Sequence, residues 1–457
     1  MKSHFFKFFL LGKLLIVYPV LAQGVPSTIV VNPKASTSAV IDDADDPAIW
    51  VHPDNPSQAI IIGTDKGSFP DGGLFVWNMD GTLHQHLAIN HPNNVDVRYG
   101  MQLQSGVVDI AVASMREDAE IRVFKIDPVS RMLSDITTAP GITVFSDPYG
   151  ICLYRRPSDG AMFVVLSSNG GNTLWQLLLE DDGTGKVRGT KVREFGTITG
   201  LVEGIVADDE LGYIYAAEEG LGVHKFHADP ALGNARLALF ATADGISGER
   251  EGMAIYSCAD GTGYLLLSNQ GETDNNVKVY PREGAPGNPH QHNLVTTIVT
   301  NGSASTDGLD VTNRPTSGDF GHGFLITHNS PGTNFRLYAW EDIAQSYLTV
   351  CTSPVGVDDR PGGGPTEFML EQNYPNPFNA STKIGYRLSQ SGQAVLIIYT
   401  LLGQEIRHLV NTQHAVGRYS VLWDGRDDNG LPVPTGIYLY RARFDNHNQV
   451  RRMLLLR

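Results

Sequence analysis

The sequence has little cysteine, little positive charge and few long apolar runs, and each shortage excludes a class of protein. Three cysteines cannot form a disulfide scaffold and do not have zinc-knuckle spacing, so one bridge or free thiols remain open for Cys152, Cys258 and Cys351. The 34 Lys and Arg against 49 Asp and Glu give a formal charge of −15, which argues against nucleic acid or an anionic membrane as a partner. Beyond the N-terminus no run reaches the roughly 20 apolar residues of a transmembrane helix.

Turn-forming residues are abundant, with 49 Gly and 25 Pro, and an apolar content of 41% is sufficient for a folded core. The N-terminus differs from the rest of the chain. Two lysines precede an apolar run, and Val20-Leu21-Ala22 follows it. We therefore expect residues 1–22 to be a secretory signal peptide, with a buried N-terminal helix as the alternative.

Residues 352–367 are rich in Gly and Pro and predict a linker between two domains of different charge. Residues 23–366 contain 21 basic and 42 acidic residues, a net charge of −21. Residues 367–457 contain 10 basic and 7 acidic residues, a net charge of +3. The acidity therefore belongs to the larger domain alone.

Short β-branched and aromatic segments, separated by Asp, Gly, Asn or Pro, run through residues 23–351 and predict an all-β domain. They repeat six times with a period of about 45–55 residues and four strands per unit, which is typical of propeller blades. We therefore predict a six-bladed β-propeller. Two stacked β-sandwiches are the alternative, but they would not place a polar residue at the same register in every unit.

Two columns of polar residues recur in these repeats. The first column opens the first strand of each unit and comprises Asp46, Asn94, Tyr149, Glu203, Glu251 and Asp307. The second follows the second strand and comprises Lys66, Arg116, Asn169, Glu219, Gln270 and Asn329. Further acids adjoin the columns at Asp45, Glu218 and Glu249. Because equivalent positions of successive blades converge at one end of the channel, we expect at least five carboxylates around one mouth.

Carboxylates this close would repel one another unless a cation lay between them, and ligands that are all oxygen favour Ca²⁺ over Zn²⁺. The alternative is that each acid only caps a strand and faces water. Lys66 and Arg116 either neutralise neighbouring acids or bind a multiply charged oxyanion, for which Arg offers two parallel donors and Lys a point charge.

Several segments together resemble the β-propeller phytases. They are DDPAIWVHP at 45–53, NNVDVR at 93–98, VREF at 192–195, EGIVADDE at 203–210, EG at 251–252 and TDGLDV at 306–311. The likeness extends over residues 35–350. It implies a phosphomonoesterase that uses several Ca²⁺ ions and a metal-activated water to hydrolyse phytate, myo-inositol hexakisphosphate.

The resemblance also implies roles for individual residues. The implied metal ligands are Asp45, Asp46, Glu203, Glu219, Glu249, Glu251 and Asp307. The implied catalytic residues are Lys66, Arg116, Tyr149, Glu203 and Glu219. The implied phosphate-binding residues are Lys66, Arg116, Asn94 and Asn169. Three features depart from the family: Asn169 stands where a phosphate-binding lysine is common, Asn301 stands where the family has an aspartate ligand, and residues 68–72 are inserted after Lys66.

The sequence leaves two other functions open. A calcium-dependent propeller lactonase or phosphotriesterase would need few ligands and no basic pair. A surface-displayed binding propeller would use its carboxylates for structural calcium only.

Residues 368–457 predict a small immunoglobulin-like β-sandwich. LEQNYPNPFN at 370–379, WDG at 423–425 and TGIY at 435–438 resemble the C-terminal sorting domain of the type IX secretion system. This resemblance implies the secretion machinery as a partner and a protein that is secreted or attached to a bacterial outer membrane. A carbohydrate-binding module is the alternative.

Overall fold

The computed structural model of the chain describes residues 25–271, 275–316, 318–351, 368–370, 373, 376, 378–379, 381–388, 390–401, 403–414, 417–444 and 447–456. The predicted signal peptide (1–22) and the predicted linker (352–367) lie outside these residues. Among the residues described, no helix is long and apolar enough to cross a membrane.

The first half of the large region opens with two short strands, β1 and β2, and then forms three sheets. The two opening strands are β1 (Thr28–Val31) and β2 (Ala35–Ser36). Sheet I contains β3 (Ala44–Trp50), β4 (Ile60–Asp65), β5 (Gly73–Asn78) and β6 (Leu83–Ala88). Sheet II contains β7 (Pro92–Leu103), β8 (Gly106–Met115), β9 (Glu120–Ile126), β10 (Leu133–Asp135) and β11 (Ile142–Thr143). Sheet III contains β12 (Pro148–Arg155), β13 (Met162–Ser168), β14 (Leu174–Asp181) and β15 (Val187–Phe195).

The second half forms three more sheets, two of which incorporate the opening strands. Sheet IV contains β16 (Val202–Asp208), β17 (Tyr213–Glu218), β18 (Gly222–His227) and β19 (Ala238–Phe240). Sheet V contains β20 (Met253–Ser257), β21 (Gly263–Asn269), β22 (Asn276–Pro281), β23 (Thr296–Thr300) and the parallel β1. Sheet VI contains β24 (Leu309–Thr312), β25 (Phe324–Asn329), β26 (Asn334–Ala339) and β2. The strands β2 and β26, like β25 and β26, pair in antiparallel orientation. The N-terminal strands β1 and β2 thus complete sheets V and VI.

Three short 3-10 helices and one α-helix accompany these sheets in the described residues. They are Pro56–Gln58, Pro230–Leu232, Ser330–Gly332 and α1 (Trp340–Ala344). Two contacts attach α1 and the segment after it to the β20 end of sheet V. The rings of Tyr256 and Trp340 stack with their centres 3.6 Å apart, and Cys258 forms a disulfide with Cys351. The third cysteine, Cys152, is buried and free.

The first strands of the six sheets contact one another in a closed order, from β3 through β7, β12, β16, β20 and β24 back to β3. A separate apolar cluster fills each interface between consecutive sheets, including the one between sheets VI and I. Because both faces of a sheet are covered, inner strands such as β4 are buried along their whole length and lack the alternation of a half-exposed strand.

The C-terminal region forms two antiparallel sheets around a single apolar core. One contains β27 (Met369–Leu370), β28 (Thr382–Leu388) and β31 (Gly417–Trp423), and the other contains β29 (Gly392–Thr400), β30 (Glu405–His414), β32 (Gly436–Phe444) and β33 (His447–Leu455). The prediction of an all-β chain is confirmed.

Candidate active site

The predicted polar columns lie close to strand ends. The residues of the first column fall within two residues of where the first strands begin, and those of the second column fall within one residue of where the second strands end. In sheets I to IV the pairing register of the first strand shifts at the predicted residue. Such β-bulges change the direction in which side chains point. The predicted residues of sheets I to IV therefore share a register because the same β-bulge recurs in each first strand.

Small residues let consecutive first strands approach closely. A Cβ on Gly204 would collide with the carbonyl oxygen of Glu251, and one on Gly150 would collide with the carbonyl oxygen of Glu203. Hydroxyls of the second strands add a repeated link: Ser114 Oγ accepts from Asn94 N at 3.1 Å and donates to Tyr149 O at 2.7 Å. The residues of the first polar column therefore lie on backbone segments that approach one another closely.

Three glutamates from sheets IV and V meet at this end of the strands. Glu203, Glu219 and Glu251 are all buried, and each offers an oxygen within 4.8 Å of the others. Burial raises the pKa values of all three; repulsion from Glu249 adds to the shift of Glu219, to about 7, and repulsion from Glu203 adds to that of Glu251. A cluster of this kind holds protons or a cation.

Asp45 and Lys66 come from sheet I. Lys66 Nζ lies 2.7 Å from Asp45 Oδ1 and 3.9 Å from Asp43 Oδ2. Burial acts to lower the pKa of Lys66, but the charges of Asp45 and Glu203 outweigh it, so the pKa is raised and the ammonium form is favoured. Asp45 Oδ2 and Glu251 Oε2 are both buried and receive no hydrogen bond from the residues that the structure describes.

Asp46 and Asp307 lie at the same end but have partners. Asp46 Oδ2 accepts from Val95 N at 3.0 Å. Gln270 Nε2 donates to Asp307 Oδ1, and His328 Nδ1 lies 3.2 Å from Asp307 Oδ2. Burial raises the pKa of both aspartates.

Arg116 joins the acidic cluster through Asn93. Asn93 Nδ2 donates to Glu203 Oε1 at 2.7 Å, while Asn93 Oδ1 accepts from Arg116 Nη1 at 3.4 Å. The Arg116 guanidinium carbon is 5.4 Å from the centre of the Tyr149 ring. Burial and the charge of Glu203 raise the pKa of Tyr149, which keeps its hydroxyl protonated and able to donate. Asn94 is buried beside Asn93.

Glu249 and Glu219 face a cavity of about 580 Å³, which Gln270 and the glycines 200, 220, 248 and 271 also line. Asn169 is exposed. Asn301 is paired with Asn32 near the start of the chain. Glu218 is held by Thr199 and His224 instead of joining the glutamates, because the side chains of neighbouring strand residues point to opposite faces.

Sequence reasoning missed Asn93, Asp147 and His328 as members of this site. Asn93 adjoins the predicted Asn94, and Asp147 lies two residues before Tyr149. Neither residue stands in the register that the repeats define, so the repeat pattern alone did not identify them. His328 precedes Asn329 at the end of a second strand, and it belongs to neither polar column because those columns were defined by other positions.

Comparisons with known proteins place the large region in a family. Residues 19–359 match the phytase family, and residues 376–447 match the FlgD Ig-like domain. A 3-phytase of Bacillus subtilis (strain 168) is 35% identical over 317 residues, which is 66% of this chain and 81% of that protein.

Two solved structures are similar at a level that bears on neither fold nor function. One is PorZ, a surface component of the type-IX secretion system of Porphyromonas gingivalis, with 13% identity, a TM-score of 0.35 and 90% of this chain covered. The chain spans about half of that protein (51%). The other is a chain of a mitotic checkpoint complex, with 11% identity, a TM-score of 0.39, 74% of this chain and 99% of that chain covered.

The family match covers most of the chain, and the Bacillus relative is matched over most of its own length. This chain therefore belongs to the phytase family and is a phytase enzyme.

Proposed function

We propose that the large region is a closed six-bladed propeller that hydrolyses phytate at the acidic end of its first strands, with several Ca²⁺ ions as cofactor. The closed order of first-strand contacts and the six interface clusters support the propeller. The observation that carries the site is the meeting of Glu203, Glu219 and Glu251 beside the cations Lys66 and Arg116.

The residues present fit calcium. The donor set consists of carboxylate oxygens, which suit Ca²⁺ and its variable coordination. Within the described part of the chain, the buried oxygens Asp45 Oδ2 and Glu251 Oε2 have no hydrogen-bond partner. We assign Asp45, Asp46, Glu203, Glu219, Glu249, Glu251 and Asp307 as ligands. When bound, the ions supply Lewis-acid stabilisation of phosphate oxygens and an activated water.

The remaining residues bind and orient the substrate. Lys66 offers a point charge to a phosphate oxygen, and Arg116 offers directional N–H donors. The protonated Tyr149 hydroxyl donates a hydrogen bond, and Asn94 and Asn169 contribute amide groups. Stabilising charge on the equatorial oxygens of the reacting phosphoryl group lowers the barrier to attack by water.

Release of phosphate from phytate by the purified chain tests this proposal. We expect activity with added Ca²⁺, loss of activity with a chelator, and recovery when Ca²⁺ is restored. Activity that survives complete chelation would contradict the calcium assignment. Calcium-dependent cleavage of a lactone or an ester, without action on phytate, would support the alternative enzymes.

We also propose that residues 1–22 are a signal peptide, residues 23–351 the catalytic domain, residues 352–367 a linker and residues 368–457 a type IX sorting domain. The match to an Ig-like domain supports an immunoglobulin-like sandwich at the C-terminus. The protein would then be secreted or held at the outer-membrane surface. Terminal sequencing and mass measurement of the exported protein test these boundaries, and an uncleaved protein retained in the cytoplasm would contradict them.

A further inference from the structure

Asp147 forms an ion pair with the guanidinium of Arg116 at the edge of the proposed active site. Arg116 Nε lies 2.7 Å from Asp147 Oδ1, and Arg116 Nη2 lies 3.3 Å from Asp147 Oδ2, so the two planar groups meet through two parallel contacts. Asp147 stands immediately before the strand that carries Tyr149.

The backbone fixes Asp147 in a conformation that is uncommon for a residue other than glycine. Its φ is +54°, and its carbonyl oxygen accepts from Asn169 N at 3.0 Å. The pair itself is half-exposed, with side-chain exposures of 30% for Arg116 and 38% for Asp147. Exposed ion pairs add little to stability, so stability does not account for this arrangement.

Arg116 has competing acids on its other side. Its Nη1 reaches Asn93, which in turn holds Glu203, and the charge of Glu203 acts on the guanidinium. Without Asp147, the long arginine side chain is free to turn toward the glutamates. With Asp147 occupying Nε and one side of Nη2, the orientation is set and the remaining N–H groups stay available for an oxyanion.

We propose that Asp147 is a positioning residue that orients Arg116 for the phosphate groups of phytate. This inference rests on the proposed function, because it takes Arg116 as a phosphate-binding cation. Asn169 increases the importance of this orientation, since it supplies no charge at a position where the resemblance leads us to expect a lysine.

A double-mutant cycle with Asp147→Ala and Arg116→Ala tests the proposal, with kcat and KM for phytate measured in the full chain with Ca²⁺. We expect Asp147→Ala to lower kcat/KM by about 10- to 100-fold, and to have no further effect in the Arg116→Ala background. Asp147→Asn keeps one acceptor and should fall between the wild type and Asp147→Ala.

The matched control is Asp159→Ala. Arg156 and Asp159 form the same two-contact pair, at 2.9 and 2.7 Å, beyond the far end of the same strand, β12. Loss of this pair should leave kcat and KM unchanged. The thermal midpoints of all variants verify folding, and if Asp147→Ala does not fold, the same comparison with Asp147→Asn decides the question.

The outcomes separate the two proposals. If Arg116→Ala is impaired and both Asp147 variants are as active as the wild type, positioning by Asp147 is wrong. The same holds if Asp147→Asn lowers KM, because Asp147 would then only repel the anionic substrate. If Arg116→Ala itself is fully active, the phosphate-binding role of Arg116 is wrong, and the inference falls with it.

Discussion

Two groups of acids lie on or next to the inner strands of the sheets, and they differ in how many donors reach their oxygens. The first group, which we call the paired group, contains the buried Asp208 and the partly exposed Asp96, Asp209 and Asp310. Asp310 accepts from Ile49 N at 2.8 Å and Val311 N at 2.7 Å, and Asp96 accepts from Leu153 N at 2.6 Å. Arg98 lies 3.1 Å from Asp209, and Arg282 holds Asp208 through two contacts of 2.6 and 2.7 Å.

The second group lies at the active-site end and includes Asp45, Glu203, Glu219 and Glu251. Here the carboxylates of Glu203, Glu219 and Glu251 face one another, and some oxygens of the group receive no hydrogen bond from any residue that the structure describes. Burial of an acid therefore does not by itself indicate function in this fold. What distinguishes the two groups is the supply of donors, because the paired acids join sheets together. In the second group, which we call the unpaired group, Asp45 has Lys66 and Glu203 has Asn93, but not every buried oxygen has a donor from the described residues, and those oxygens are left for a ligand.

The largest expected effect comes from breaking the paired group. Arg282→Met leaves Asp208 buried without its cation, and removing one partner of a buried pair costs about 3–5 kcal/mol of unfolding free energy. Denaturant unfolding of the wild type and the variant measures this loss. An unfolding free energy within about 0.5 kcal/mol of the wild type, the range typical of surface substitutions, would contradict the structural role.

The unpaired group should show the reverse behaviour. Glu251→Gln removes a proposed calcium ligand, and we expect kcat/KM for phytate to fall by about 100-fold, or roughly 2.7 kcal/mol of transition-state stabilisation. In metal-free protein, unfolding free energy should stay the same or rise, because the substitution relieves repulsion with Glu203.

A surface glutamate serves as the control for Glu251→Gln. Glu180 lies on sheet III, half-exposed and 3.5 Å from Arg188, and Glu180→Gln should retain full activity. Added Ca²⁺ should raise the unfolding temperature of the wild type and of Glu180→Gln by more than that of Glu251→Gln. Equal calcium stabilisation of all three proteins would place the metal elsewhere.

Asp208 and Glu219, one acid from each group, should also have opposite pH dependence in metal-free protein. Burial acts to raise the pKa of Asp208, but Arg282 outweighs it and holds the pKa below 3.8, so its contribution is present above that pH and is lost on acidification. Burial and Glu249 raise the pKa of Glu219 from 4.5 to about 7, so the folded state holds the extra proton. Stability should therefore fall by about 2–3 kcal/mol as pH rises from about 5 to about 8.

Urea unfolding after removal of metal measures this slope. Glu219→Gln should flatten it, because the substituted side chain does not titrate. A slope of the opposite sign, or one that Glu219→Gln leaves unchanged, would show that the active-site acids are not the source.

The sequence indicated the repeats because a polar residue followed by glycine marks the close approach of first strands at Gly150, Gly204, Gly252 and Gly308. It also brought together Glu203, Glu219 and Glu251, which stand in the repeating register and lie close together in the structure. It could not separate the paired group from the unpaired one, since the donors come from distant segments: Arg282 is in sheet V, and its partner Asp208 is in sheet IV. Asp147 and Asn93 were missed for the same reason, because their roles depend on contacts across sheets.

The smallest expected effect concerns Asn169, where a substitution would add one more cation near the unpaired group of acids. Asn169 is exposed and lies beside Asp147, so Asn169→Lys would place a solvated charge near the phosphate site. An exposed charge contributes about 0.2–1 kcal/mol, which predicts a KM for phytate lowered by roughly 1.4- to fivefold at low salt and less at high salt. Asn301→Lys adds the same charge at an exposed position paired with Asn32 and should leave KM unchanged. If both variants lower KM equally, the gain comes from net charge, and position 169 has no particular role in binding phosphate.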